Sequence, residues 1–221
     1  MKLIHASDQH PAIAVLQKRL EEELTASKRV LWLVSGGSNI SASVQIMHNL
    51  DATITSHLTI MPVDERYGLV DHPDSNIGTL LAAGFNIKQA TLITILQPDT
   101  SFEATADRFD YIARQAFSSN EVIIAQLGIG ADGHIAGILP DSPAVASPDF
   151  VAAYSSQPYQ RLTLTDHALK RVSAAYVLAF GEDKKAALEQ LAARLVSYAD
   201  QPAQILKELP EAYVFSDQIT A

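Results

Sequence analysis

His134 closes a glycine-rich run, Leu127-Gly128-Ile129-Gly130-Ala131-Asp132-Gly133-His134, that follows the apolar stretch Val122 to Ala125. An imidazole gains or loses a proton near neutral pH, and glycines let a backbone pass close to a ligand. An apolar run that opens into glycines is what the carboxyl end of a buried parallel strand looks like at a ligand crevice. The stretch therefore predicts a proton-transferring histidine presented to a small molecule. Gly128, Gly130 and Gly133 also spell G-x-G-x-x-G, the dinucleotide fingerprint. That motif needs a long helix directly after its third glycine and an acidic residue about 20 positions on. Pro140, Pro143 and Pro148 break the segment where the helix would run. Asp132 and His134 are too few to hold a metal, and the remaining histidines lack ligand spacing, so no metal and no cofactor are expected.

Three further segments carry chemistry. Ser35-Gly36-Gly37-Ser38 offers exposed amides, two hydroxyls and the start of a helix, a ready cradle for an anion. It lacks the Gly-Lys-Ser/Thr that closes a Walker loop, and an ordinary tight turn would read the same way. Asp64-Glu65-Arg66 sets two carboxylates beside a guanidinium, which could combine a base with a phosphate clamp or simply form a solvated salt bridge. Downstream, Asp71 to Asn76 is polar enough to be a mobile loop over the site, with Asp74 or Ser75 as a helix cap. In Gly181-Glu182-Asp183-Lys184-Lys185, lysines in the first turn of a helix oppose its dipole unless they serve an anion. Arg161, at the head of Arg-Leu-Thr-Leu-Thr, could add another cation.

The elements that must position these residues alternate along the chain. Ile13, Leu16, Leu20 and Leu24 predict a helix over 12–26, and strands are expected at 29–34 and 57–63 with Asp64 to Arg66 as the turn that follows. A helix runs from the Ser38 turn to about Leu50, and a short one spans 75–83 with Gly84 as its stop. A strand over 91–96, a helix over 101–117 capped by Ser101 and a strand over 121–127 complete the first half. The second half offers β-like segments at 150–155 and 161–165, a strand over 174–180 and a final edge strand at 212–215. A helix from near Glu182 is marked by Leu188, Leu191, Leu195 and Tyr198. This alternation predicts an α/β fold, one domain over 1–221 with a mostly parallel Rossmann-like sheet flanked by helices.

The whole chain sets bounds on function. It has 221 residues, 48% of them hydrophobic, a net charge of −9 and no cysteine. The acidic balance argues against nucleic acid as a partner, while a few local cations could still hold a small anion. Without cysteine there are no disulfides, thiolate metal sites or thiol nucleophiles. Neither a signal-like amino end nor a membrane-length apolar run is apparent, so a cytoplasmic protein with no membrane partner is expected, as a monomer or small homo-oligomer.

Taken in order, the four segments resemble the 6-phosphogluconolactonase family, which shares its fold with the glucosamine-6-phosphate deaminases. That pattern runs Ser-Gly-Gly-Ser-Thr-Pro, Asp-Glu-Arg, Asp-Ser-Asn, Leu-Gly-x-Gly-x-Asp-Gly-His-Thr-Ala-Ser-Leu-Phe-Pro, Arg-Ile-Thr-Leu-Thr and Gly-x-x-Lys. This chain supplies Ser35 to Ser38, Asp64 to Arg66, Asp74 to Asn76, Leu127 to Pro140, Arg161 to Thr165 and Gly181 to Lys184. Asn39-Ile40 stands in place of Thr-Pro, and Ile135 and Gly137 in place of Thr and Ser. His-Ile-Ala is the deaminase spelling, but deaminases carry an acid–base glutamate where this chain has Leu139, and usually a tyrosine at the position of Arg66. The resemblance implies hydrolysis of 6-phosphoglucono-δ-lactone, with a sugar phosphate as the small-molecule partner. It implies His134 as general base, tuned by Asp64 or Asp132, and glycine-turn amides such as that of Gly130 at the oxyanion. The phosphate would lie on Ser35, Gly36, Gly37 and Ser38, held by Arg66, Lys184 and Arg161. The alternatives are a deaminase or isomerase using Asp64 as base, and a sugar-phosphate sensor without catalysis.

Overall fold

The structure, a computed structural model, describes residues 1–70, 72–145, 147–193 and 196–219. Seven parallel strands form the central sheet: β1 (Lys2–His5), β2 (Val30–Val34), β3 (Leu58–Pro62), β5 (Thr91–Leu92), β6 (Val122–Leu127), β9 (Ala174–Leu178) and β10 (Ala212–Ser216). Their spatial order is β1-β10-β9-β6-β2-β3-β5. The helices are α1 (His10–Thr25), α2 (Ile40–Asn49), α3 (Asn76–Ala82), α4 (Phe102–Ser119), α5 (Asp166–Leu169) and α6 (Lys185–Ala193). A second, antiparallel sheet holds β4 (Asp64–Arg66), β7 (Val151–Ser156) and β8 (Tyr159–Leu164) in the order β4-β8-β7.

Strand β2, Val-Leu-Trp-Leu-Val, is buried along its whole length, as expected of a parallel strand covered on both faces. Its alternate side chains feed two separate cores. Leu31 and Leu33 join α4 residues Phe109 and Ala113 on one face. Val30, Trp32 and Val34 join Leu16, Leu20 and Ile46 of α1 and α2 on the other.

From β2 the chain next builds β3 on one side, and from β6 it builds β9 on the other, so β2 and β6 flank the point where strand order reverses. They pair in register from Val30↔Val122 to Leu33↔Ala125. Both glycine turns therefore leave neighbouring strands at the same end of the sheet, where α/β folds collect ligands.

Several sequence expectations are corrected. Asp64 to Arg66 is a strand and not a turn, because β8 pairs it from 95 to 99 residues away in sequence, Arg66 opposite Arg161. The expected edge strand at 212–215 lies inside the sheet, since β1, which the sequence pattern did not mark, takes the edge beside it. The strand expected over 91–96 pairs only at Thr91 and Leu92. The helix expected from Glu182 begins as a 3-10 turn, Glu182–Lys184, and α6 ends at Ala193. Tyr198 lies beyond α6, while Leu195 and Asp71 fall outside the described residues.

Candidate active site

The turn after β6 is built around His134. Its backbone carbonyl accepts the Gly130 amide at 2.9 Å, and the Gly130 carbonyl accepts the Gly133 amide at 2.9 Å. Gly133 takes φ +82°, a conformation open to glycine, and Gln201 packs where its side chain would be. A Cβ at Gly130 would overlap the imidazole Nδ1 and the Asp132 carboxylate. The glycines thus make room for one ring and fix its place.

Asp132 Oδ1 lies 2.6 Å from His134 Nδ1 and also accepts the His134 amide at 3.1 Å. Burial raises the Asp132 pKa, but those hydrogen bonds and the nearby imidazole outweigh it and leave the group below its usual value. An ionised Asp132 holds the proton on Nδ1 and leaves Nε2 free to act as acceptor.

His134 faces a cavity of about 170 Å³ lined by Ser35, Gly36, Gly37, Ser38, Asp64, Arg66, Gly130, Arg161 and Lys184 among others. Every residue to which the resemblance gives a catalytic or phosphate-binding role reaches this one cavity except Asp132, which stands behind the imidazole. The Ser35–Ser38 turn enters a 3-10 helix, Gly37–Asn39, that runs on into α2, and the first amides of a helix have no acceptor within it. The Ser35 hydroxyl, however, donates to the Gln126 carbonyl at 2.9 Å and ties the two glycine turns together.

The cations come from the small sheet and from the end of β9. Arg66 and Arg161 are directly opposite each other on β4 and β8. The Nε of each is buried without a hydrogen-bond partner among the described residues. Two orphaned guanidinium donors beside a cavity call for an anion. Lys184, in the 3-10 turn before α6, pairs with the exposed Asp183 at 2.7 Å.

Asp64 is only 6% exposed, and burial raises its pKa against the opposing pull of Arg66, Arg161 and His134. Its carboxylate lies 3.9 Å from Arg66 Nε. Asp64 therefore sits among the arginines, and Asp132 is the carboxylate bonded to the imidazole.

Glu65, 1% exposed, points away from the cavity into the start of α3. It accepts from the amides of Asn76 at 2.6 Å, Arg66 at 2.8 Å and Ile77 at 3.1 Å, and from the Ser75 hydroxyl at 3.1 Å. Ser75 caps α3 by accepting the Gly78 amide at 2.9 Å. The loop before it is tied to Arg66: Nη1 donates to the Asp74 carbonyl and His72 Nε2 lies 2.9 Å from the Arg66 carbonyl.

Two polar cavity residues had no role assigned from the sequence. Asn76 donates from Nδ2 to the Asp64 carbonyl at 2.9 Å, and a side chain at Gly36 would overlap its carboxamide. Asn39 reaches the cavity beside Gly128. Asn76 lay within the Asp-Ser-Asn signature, whereas nothing local marked Asn39 beyond its place after the first turn. The amides of Gly130, Gly133, His134 and Ile135 all donate within their own turn or to Asp132 and Ile138. That removes these four, Gly130 included, as oxyanion donors unless the turn opens.

Comparison with known proteins gives a consistent family. The family model described as glucosamine-6-phosphate isomerases/6-phosphogluconolactonase matches residues 8–214. A 6-phosphogluconolactonase from Homo sapiens is 30% identical over 175 residues, covering 72% of this chain and 66% of that protein. One from Pseudomonas aeruginosa is 30% identical over 181 residues, covering 77% and 74%. Among solved structures, a 6-phosphogluconolactonase from Shewanella baltica superposes with a TM-score of 0.77 at 22% identity, over 97% of each chain.

Proposed function

Since the chain belongs to the glucosamine-6-phosphate isomerase/6-phosphogluconolactonase family, we propose that it hydrolyses 6-phosphoglucono-δ-lactone to 6-phosphogluconate in the oxidative pentose phosphate route, as a cytoplasmic enzyme without a cofactor. The observation that carries this reading is the Asp132–His134 pair at 2.6 Å on the wall of a cavity that also holds three cationic side chains. The family covers two chemistries, and the sequence distinguishes them. An isomerase or deaminase moves protons on and off sugar carbons; here Leu139 stands where the deaminase pattern has its acid–base glutamate, and a leucine carries no titratable proton.

The phosphate of the substrate lies against the Gly37 and Ser38 amides and between Arg66, Arg161 and Lys184. It offers an acceptor to the two guanidinium Nε groups that otherwise lack a hydrogen-bond partner among the described residues. Binding energy from this remote group orients the lactone carbonyl near His134. His134 Nε2 takes a proton from water as the oxygen attacks the carbonyl carbon. The tetrahedral intermediate collapses with cleavage of the ring C–O bond, and the imidazolium returns its proton to the departing oxygen. Asp132 steadies the imidazolium, and Asp64 holds Arg66 in place.

The test is lactone hydrolysis followed with freshly made substrate, with spontaneous opening subtracted. The wild type accelerates it, and His134→Ala loses about 10²–10⁴-fold in kcat while still binding 6-phosphogluconate. A variant that keeps most of its rate overturns the role of His134. Ammonia release from glucosamine 6-phosphate, with no lactone hydrolysis, overturns the reaction.

A further inference from the structure

We propose that Tyr159 is a positioning residue for substrate binding, holding Arg66 and Arg161 as one preformed anion clamp. The inference rests on the reading above only for the choice of ligand.

Arg66 and Arg161 are direct cross-strand partners in the antiparallel β4–β8 pair. Like charges in that relation repel, and each guanidinium here also has its Nε buried without an acceptor. Left to themselves, two long cationic side chains would swing apart into water. Tyr159 lies two residues before Arg161 on β8, so the two side chains share a face of the strand. Its ring centroid is 5.1 Å from the Arg66 guanidinium carbon and 5.3 Å from that of Arg161. Both distances are within the range in which the negative face of an aromatic ring attracts a cation.

One ring therefore counters the repulsion between two cations without neutralising either. Asp64, 3.9 Å from Arg66 Nε, offsets part of the repulsion; the ring adds to this without taking up a hydrogen-bonding edge of either arginine. The Tyr159 hydroxyl reaches Asp74 Oδ1 at 3.4 Å, a long contact. Asp74 is also the residue whose carbonyl accepts from Arg66 Nη1 at 3.1 Å. The benefit is pre-organisation: each rotamer-rich side chain fixed before binding need not be fixed by the ligand.

The experiment compares wild type, Tyr159→Phe and Tyr159→Leu by calorimetric titration with 6-phosphogluconate, alongside kcat and KM for the lactone. Loss of the ring is expected to raise both Kd and KM about tenfold, equivalent to about 1.4 kcal/mol, with kcat within about twofold. Phenylalanine, which keeps the ring, is expected to restore wild-type values. An unchanged Kd in the leucine variant overturns the proposal. So does a loss in phenylalanine equal to that in leucine, which would assign the effect to the hydroxyl.

A purely structural role would lower the melting temperature without this separation of KM from kcat. Should the leucine variant not fold, nuclear magnetic resonance of the wild type decides. The side-chain protons of both arginines are expected to be shifted upfield by the ring, and unshifted signals overturn the stacking. If the wild type binds 6-phosphogluconate but opens no lactone, the lactonase reading fails, and the comparison of Kd values still decides the role of Tyr159.

Discussion

Two aspartates could have served His134, and their surroundings separate them. Asp132 is half exposed, hydrogen-bonded to the ring and held ionised. Asp64 is buried among arginines and pushed the other way. A carboxyl whose folded-state pKa is raised binds more protons folded than unfolded, so its charge weakens stability as pH climbs from the ordinary carboxylate range through the raised value. Asp64→Asn removes that dependence. Its stability relative to the wild type is therefore expected to improve between pH 4 and pH 7, measured by denaturant unfolding at both. A difference that stays constant, or moves against the variant, would show that the arginines prevail over burial.

Among the elements, α3 is short and owes its placement to what lies at its first turn. Ser75 caps it and, through the same hydroxyl, reaches the buried Glu65. Glu65 takes the Asn76 and Ile77 amides that open the helix, while the Asn76 side chain, on the cavity wall, donates to the Asp64 carbonyl of β4. Ser75→Ala is expected to cost about 1–2 kcal/mol, seen as a lower urea midpoint with an unchanged slope. A cost under about 0.3 kcal/mol would mean the Glu65 contacts hold α3 without the cap.

The sequence narrowed the cap to Asp74 or Ser75 because capping is local, and the structure assigns it to Ser75, three residues before Gly78. The four motif segments were readable for a related reason, since glycine, histidine and charge stand out against apolar strands. What escaped was pairing at long range. Asp-Glu-Arg has poor strand propensity and forms β4 only because β8 comes alongside it. Lys-Leu-Ile-His is too short and too mixed to mark β1 as a strand. The contact of Tyr159 with two arginines likewise exists only once β4 and β8 are in register.

At the scale of the whole molecule, a chain of net charge −9 concentrates Arg66, Arg161 and Lys184 on one cavity. Global charge is thus a poor guide to the sign of a ligand, because a lined crevice focuses its own field. The cavity lies between two sheets: the parallel one supplies the glycine turns and His134, the antiparallel one the arginines. A ligand bridging them should stabilise the fold as a unit. With 6-phosphogluconate at about a hundred times its Kd, unfolding is expected to cost about 2.7 kcal/mol more, a rise of roughly 5–10 °C in Tm. Gluconate at the same concentration should do little, and an equal shift would show that the phosphate is not what bridges the sheets.

The placement of β10 also has a consequence for how the chain is made. Among the described residues β1 pairs only with β10, Lys2 beside Tyr213. On a ribosome adding about 5–20 residues per second, β1 waits roughly 10–40 seconds for the strand it pairs with. During that interval the nascent chain carries an unmatched strand edge. The sheet closes when β10 slides in between β1 and β9, a step that must wait until β10 itself has been made.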